Sequence, residues 1–126
     1  MAEQIVYPFR GIHYDTAKTP DISRLIAPPY DVISPEMQAE LYAREARNFV
    51  RLELPRGEGQ GEATPYAEAA ETLETWRREG VLVREEAPAL YLVETEFVLH
   101  GRTWRRRGVF ALVRLPEEGE RYVLGH

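Results

Sequence analysis

The sequence predicts an α+β domain in which a mostly antiparallel sheet with a C-terminal hairpin carries two helices packed on one face. Two segments begin like helices, because Ser34-Pro35 and Thr64-Pro65 each place a capping hydroxyl before a proline. The last third alternates apolar and polar residues around His100-Gly101, which favours strands joined by a tight turn. With 126 residues, of which 44% are hydrophobic, the chain predicts a single domain over residues 1–126.

The N-terminal segment of residues 4–14, QIVYPFRGIHY, predicts an edge strand because it is rich in β-branched and aromatic residues. Pro8 lacks an amide donor and Gly11 weakens strand pairing, so we expect a kink there. Residues 21–32 contain Pro28 and Pro29 and predict an extended or turning segment rather than a helix. Parallel pairing around the first two strands is an alternative.

Two helices are predicted from their caps and their apolar spacing. The first follows Ser34, with Met37 and Leu41 on one face and Glu40 paired with Arg44 outside. The second covers residues 65–80 and stops at its C-terminal glycine. Its apolar stripe consists of Tyr66, Ala69, Ala70, Leu73 and Trp76.

Between these helices, residues 48–55, NFVRLELP, alternate in polarity and predict a half-buried strand that ends at Pro55. A glycine-rich stretch follows at residues 56–63. Its glycine spacing matches neither a dinucleotide-binding loop nor a P-loop, and Glu58 and Glu62 would repel phosphate. We interpret it as a surface loop.

The C-terminal hairpin is predicted over residues 89–99 and 102–115, and its register follows from placing Leu99 opposite Arg102. This register makes chemical sense on both faces, because it gives an aromatic pair on one and two opposite-charge pairs on the other. The pairs are Phe97 with Trp104, Glu96 with Arg105, and Glu94 with Arg107. Residues 116–120 then turn the chain into a last predicted strand at residues 121–126.

Two residues of this framework have both a structural and a functional interpretation. Arg106 lies opposite Thr95 on the aromatic face; either its stem packs on the rings with its head in water, or it binds an anionic ligand or an acidic partner. Asp31 either accepts hydrogen bonds from nearby amides in a turn, or faces a ligand beside Tyr30 on a backbone stiffened by Pro28 and Pro29.

Composition excludes several classes of protein. A net charge of −5 and a pI near 5.3 argue against nucleic acid as a partner. The chain has no cysteine, and its three histidines share no ligand spacing, so neither a metal nor a cofactor is predicted. The absence of a leader or a long apolar run favours a cytoplasmic protein without a membrane partner. The strong preference for arginine over lysine is consistent with a thermophilic source.

Several blocks in the correct order then match a known family from about Tyr7 to His126. The blocks PFRGIHY, APPYDVIS, NFVRLELP, WRREGVLVREEAPALYLVETEF and RRGVFALVRL resemble the N-terminal part of the bacterial and archaeal family called domain of unknown function 1015. Its members are usually longer and carry a His-Glu pair after the last strand, followed by an Asp-Gly-His-His-Arg motif. That motif is similar to the nucleotide-handling signature of the ParB and sulfiredoxin-like group, which includes free-serine kinases. The resemblance thus implies a small-molecule phosphotransferase for the longer family members.

The given sequence ends at Gly125-His126, before the family's glutamate and its later motif. We therefore expect a domain fragment or a natural short form that is not catalytic alone. The resemblance implies an N-terminal module that contributes to a nucleotide- or phosphate-related ligand site completed elsewhere. Its predicted ligand-binding residues are Arg10, Tyr30, Asp31 and Arg51, with Arg106 added from the hairpin.

An alternative interpretation is a protein-interaction or structural module. It would form a homo-oligomer through an exposed strand edge or through the face that carries Phe97 and Trp104. The predicted partners are accordingly a small anionic ligand or nucleotide, or further copies of the chain.

Overall fold

The computed structural model describes residues 3–57 and 64–119, and the chain divides into two compact units. One unit contains the residues up to Gly11 together with those from Arg84 onward, and the other contains Ile12–Val83. The α+β class is confirmed. The predicted strand at residues 121–126 and most of the glycine-rich stretch lie outside the described residues.

The described residues form short strands, α-helices and two 3₁₀ turns. The strands are β1 (Val6–Tyr7), β2 (Ile12–Tyr14), β3 (Leu82–Arg84), β4 (Tyr91–Leu99), β5 (Arg102–Phe110) and β6 (Leu112–Val113). The helices are α1 (Pro35–Arg44), α2 (Val50–Glu53) and α3 (Pro65–Arg78), and the 3₁₀ turns are Ile22–Arg24 and Tyr30–Val32. Within the described ranges the strands pair as β1 with β6, β2 with β3, and β4 with β5, instead of joining one larger sheet.

The predicted helix starts are confirmed at both positions. The Ser34 hydroxyl accepts a hydrogen bond from the Met37 amide at 3.2 Å, and the Thr64 hydroxyl accepts one from the Ala67 amide at 3.3 Å. A proline occupies the first turn of each helix, where no amide donor is needed. Gly80 ends α3 with a φ of 71°, which favours glycine.

The strand predicted over residues 48–55 is wrong, because Val50–Glu53 forms α2, a third helix. The Asn48 side chain accepts a hydrogen bond from the Val50 amide at 2.9 Å and so starts a turn. The Leu54 amide then donates to the Val50 carbonyl at 2.8 Å. Apolar residues at alternate positions over so short a segment fit one helical turn as well as a strand.

The core of the Ile12–Val83 unit lies around Trp76, which is 6% exposed and clusters with Val81 and Leu82. Leu73 packs against this cluster, so the C-terminal half of the predicted α3 stripe is confirmed. Tyr66 is 85% exposed, so the stripe does not extend into the first turn of that helix. This leaves the Tyr66 ring available for contacts other than core packing.

The other unit begins with the predicted kink. β1 pairs antiparallel with β6, the chain breaks at Pro8, and Phe9 resumes an antiparallel bridge to Ala89. The predicted edge strand is therefore interrupted where proline removes a donor.

Within the described residues, no helix is both long and apolar enough to span a bilayer.

Tyr14 provides a test of packing in the Ile12–Val83 unit, which we call the helical unit. Its hydroxyl donates to the Arg47 carbonyl at 2.8 Å, and burial raises its pKa from 10.0 to about 12 against the opposing effect of Arg51. Because the folded pKa lies above the unfolded value, this stabilisation is present below pH 10 and is lost between about pH 10 and 12. We expect a loss on the order of 1 kcal/mol, discounted because the group is partly exposed to solvent.

Urea unfolding at a series of pH values between 9 and 12 would measure this loss. Tyr14→Phe should flatten the decline, although it will be less stable at pH 9 because the Arg47 carbonyl loses its donor. The exposed Tyr66→Phe is the matched control and should keep the wild-type decline. Equal slopes in wild type and Tyr14→Phe would contradict the assignment.

Candidate functional site

The hairpin of β4 and β5 has the register that the sequence predicts. Leu99 lies opposite Arg102, Phe97 opposite Trp104, and Thr95 opposite Arg106. The connecting turn uses positive φ at both His100 (52°) and Gly101 (71°), a combination that suits a two-residue turn between twisted strands. Because side chains alternate along a strand, this register sorts the hairpin into two chemically different faces.

One face is ion-paired at its centre. Arg107 Nε donates to Glu94 Oε2 at 2.7 Å, and Arg105 Nε donates to Glu96 Oε2 at 2.9 Å. Both pairs are exposed, so each contributes little to stability but fixes the register through opposite-charge neighbours. The predicted neutralisation of these two arginines across the hairpin is confirmed.

The opposite face, which we call the aromatic face, carries arginines without acidic neighbours. It presents Tyr91, Val93, Thr95, Phe97 and Leu99 from β4, opposite Phe110, Gly108, Arg106, Trp104 and Arg102. Neither strand places a carboxylate on it. Phe97 is 42% exposed and Trp104 is 47% exposed, although both belong to residue types that usually lie inside a protein.

The two arginines of the aromatic face differ in their contacts. Arg102 stacks over the Trp104 ring, with its guanidinium carbon 5.5 Å from the ring centre. Arg106 has no hydrogen bond or ion pair with any residue in the ranges 3–57 and 64–119. Its guanidinium thus keeps all five donors for solvent or a ligand.

A shallow cavity of about 230 Å³ opens beside Arg106. Val93, Thr95, Gly108 and Phe110 are among its walls. Gly108 contributes to the cavity by lacking a side chain, since a Cβ placed there would meet no atom within 4 Å. The arrangement places a cation that has no ion pair within residues 3–57 and 64–119 beside a small, mainly apolar depression.

Arg10 belongs to the same unit as the hairpin, but its contacts are with the backbone. Its Nε donates to the Glu85 carbonyl at 2.6 Å. The neighbouring Gly11 amide donates to the Tyr91 hydroxyl at 2.7 Å, and the Phe9 and Tyr91 rings lie 5.0 Å apart. The geometry gives Arg10 a part in holding the N-terminal segment, and its ligand-binding role stays a prediction.

Arg51 lies in the helical unit and closes the end of α1. Its two terminal nitrogens donate to the Glu45 carbonyl at 2.9 Å and the Tyr42 carbonyl at 3.1 Å. Its guanidinium carbon lies 4.3 Å from the centre of the Tyr42 ring. Arg51 therefore satisfies carbonyls that a helix end leaves unpaired. A ligand-binding role for it stays a prediction.

Tyr30 and Asp31 share the second 3₁₀ turn. Tyr30 lines a cavity of about 460 Å³ that is also lined by Glu53 and Tyr66. Asp31 does not line that cavity, and its carboxylate has no hydrogen bond or ion pair with the residues that the structure describes. The structure thus brings Tyr30, but not Asp31, to a concave surface.

Sequence reasoning missed Arg102, Glu53 and Tyr66 as candidate binding residues. The alternation that assigned Arg106 to the aromatic face also assigns Arg102 to it, so that signal was present. No comparable signal marks Glu53, because its cavity forms between segments distant in sequence.

No group of three or more histidines or carboxylates in the described ranges could hold a metal ion.

Comparison with known protein families identifies this chain as similar to one of them. The family model described as Protein of unknown function (DUF1015) matches residues 6–126. None of the curated proteins and none of the solved structures is a significant match.

Proposed function

This chain belongs to the DUF1015 family, and on that premise we propose that it is a binding module whose aromatic face docks an acidic protein partner. The observation that carries the proposal is the exposure of large apolar and aromatic side chains beside two arginines. Tryptophan, tyrosine, phenylalanine and arginine are the residue types enriched in protein interfaces. Most solvent-facing strands instead present polar residues.

Charge favours an acidic partner over a second copy of the chain. Packing the aromatic face against itself around a two-fold axis would bring Arg102 and Arg106 together with the same residues of the other copy. No carboxylate on that face compensates them. A partner surface with carboxylates around an apolar centre would instead pair with both guanidinium groups.

A small anionic ligand is the second candidate, favoured by the cavity beside Arg106. Its chemistry agrees with the predicted nucleotide- or phosphate-related site, in which this chain supplies one cation and other sequence completes the site. A guanidinium binds phosphate oxygens through paired hydrogen bonds. Arg10 in one unit, and Tyr30, Asp31 and Arg51 in the other, each remain proposed contributors to a nucleotide- or phosphate-related site.

The acidic-partner proposal is tested by NMR titration with an acidic peptide rich in glutamate, leucine and phenylalanine. The chain has two tryptophans. The Trp104 indole signal should move while that of buried Trp76 serves as the internal reference. Arg106→Gln should weaken binding by about tenfold, the value expected for one charge-assisted contact.

Arg105→Gln is the matched control because it removes the same charge from the same strand on the ion-paired face. It should change the affinity by less than about twofold, in line with a screened charge outside the contact. The proposal is wrong if Trp104 does not respond, if the two variants weaken binding equally, or if a lysine-rich peptide of the same apolar content binds as well.

The small-ligand candidate needs a different variant. Gly108→Val should fill the cavity beside Arg106 without steric conflict, because that position faces open space. Binding of pyrophosphate that is present in wild type and lost in Gly108→Val would support an anion in the cavity. Light scattering that shows a dimer disrupted by Phe97→Glu would favour the homo-oligomer instead.

A further inference from the structure

A separate cavity is present in the Ile12–Val83 unit. The cavity of about 460 Å³ bordered by Tyr30, Glu53 and Tyr66 lies within the size range of small-molecule sites. We infer that this cavity binds a small organic cation, an ammonium group attached to an apolar body, through the Glu53 carboxylate and the two tyrosine rings. This site is distinct from the aromatic face, and its argument does not depend on that proposal.

The charge of the cavity wall selects a cation. Glu53 is the one charged residue at neutral pH among the described residues that line it, and none of them is basic. Glu53 is half-buried, so its carboxylate is less hydrated than one on an open surface. A positively charged group entering the cavity meets this carboxylate without a competing arginine or lysine among the described lining residues.

Hydrogen bonding fixes the Glu53 side chain in place. Its Oε1 accepts from the Tyr30 backbone amide at 3.1 Å, which joins α2 to the second 3₁₀ turn. Its Oε2 has no hydrogen bond with any residue in the described ranges, so this oxygen keeps its capacity for a ligand. The carboxylate is therefore oriented by the fold before any ligand arrives.

Two aromatic rings complete the recognition of a cation. Tyr30 and Tyr66 are 64% and 85% exposed, yet both line the cavity. A cation near the face of a tyrosine ring is attracted by the ring quadrupole, and paired rings are the usual means of binding substituted ammonium groups. This gives the otherwise unexplained exposure of Tyr66 a chemical purpose.

Prolines stiffen the wall on both sides. Tyr30 follows Pro28-Pro29, and Pro29 has an extended conformation with φ −56° and ψ 146°. Pro55 and Pro65 also line the cavity. A wall with few backbone conformations loses little entropy when a ligand binds, so weak individual contacts suffice for measurable affinity.

The apolar body of the ligand has space beside this cavity. A second cavity of about 420 Å³ shares Leu52 and Ala69 as walls and is lined mainly by apolar residues, including Phe49 and Leu73. Burial there contributes about 25 cal/mol per Å² of apolar surface removed from water. The ligand class is thus an aryl- or alkyl-ammonium compound.

The test compares three probes of similar shape and different charge: phenethylammonium, 2-phenylethanol and phenylacetate. In NMR titrations of the full chain, the cation should bind most tightly and shift the signals of Tyr30 and Tyr66. Glu53→Gln should weaken binding of the cation by about tenfold, while the affinity for the neutral alcohol should not change. Glutamine keeps an oxygen acceptor for the Tyr30 amide, so this variant removes the negative charge while preserving the hydrogen bond.

Glu71→Gln, an exposed charge change on α3, is the matched control and should leave all three affinities unchanged. Tyr66→Ala should weaken both the cation and the alcohol, because it removes a ring that both contact. The inference is overturned if none of the probes binds at millimolar concentration, if phenylacetate binds as well as the cation, or if Glu53→Gln and Glu71→Gln behave alike.

Discussion

Replacing Asn48 by alanine should destabilise the protein by about 3–5 kcal/mol, a large fraction of the net stability of a domain of this size. Asn48 is 0% exposed and joins three parts of the helical unit. Its side-chain amide donates to the Arg24 carbonyl at 2.8 Å and the Ile26 carbonyl at 3.1 Å, while its oxygen accepts from the Val50 amide. Alanine would leave these three backbone groups without their side-chain partner in a dry site.

Urea denaturation followed by circular dichroism would measure this loss. Gln38→Ala provides a comparison, because Gln38 is half-buried and donates a single bond to the Leu54 carbonyl at 2.8 Å. That variant should lose about 1 kcal/mol, the typical value of one hydrogen bond. A loss of less than about 1 kcal/mol for Asn48→Ala would show that these bonds do not hold the segment.

Replacing Trp76 by alanine should cost about 3–5 kcal/mol, because it removes the largest side chain from the core cluster. Its ring lies 6.1 Å from that of Tyr14 and packs among Val81, Leu82 and Leu73. Alanine would leave a cavity that the paired strands and α3 could fill only in part. The same loss should abolish most of the near-ultraviolet circular dichroism of the unit.

Trp104→Ala is the control for this prediction, since it makes the same change at an exposed position. Trp104 is 47% exposed, so its removal should cost about 1 kcal/mol or less. According to the proposed function it should nevertheless abolish acidic-peptide binding. Equal losses of stability for the two tryptophans would mean that the aromatic face is covered in solution, which would contradict an open docking surface.

The hairpin was predictable because its pattern is redundant. Shifting the register by one residue would separate Glu94 from Arg107 and Phe97 from Trp104 together, so charge and aromatic pairs specify the same alignment. The helix starts at Ser34 and Thr64 were predictable for a similar reason, because cap and proline act locally within one turn.

Interactions between distant segments account for what sequence analysis missed. The helical turn at Val50–Glu53 depends on Asn48, whose other bonds reach carbonyls more than twenty residues earlier. No local pattern reports such a contact. The alternating apolar residues Val50, Leu52 and Leu54 therefore predict a strand. In the folded chain, hydrogen bonds to distant segments instead fix a helical turn there.

The same distinction between local patterns and long-range contacts applies to the candidate sites. Alternation alone placed Arg106 on the aromatic face, and its lack of an ion-pair partner within the described residues agrees with that placement. Neither the carbonyl contacts of Arg51 nor the bond between Glu53 and the Tyr30 amide could be predicted, because both depend on how α2 lies against earlier segments. The sequence around a charged residue does not show which backbone groups its side chain will contact in the folded chain.

The boundaries between the two units, at Gly11 and Arg84, bear on which deletions the protein should tolerate. The Glu85 amide donates to the Gly11 carbonyl at 2.8 Å, so the chain departs from the hairpin unit and re-enters it at adjacent points. Residues 12–83 thus leave and rejoin the rest of the chain at neighbouring positions, and closely spaced ends of this kind are where domain insertion is best tolerated. We expect that a short linker from Gly11 to Arg84 would reconnect the hairpin unit in a variant that lacks residues 12–83.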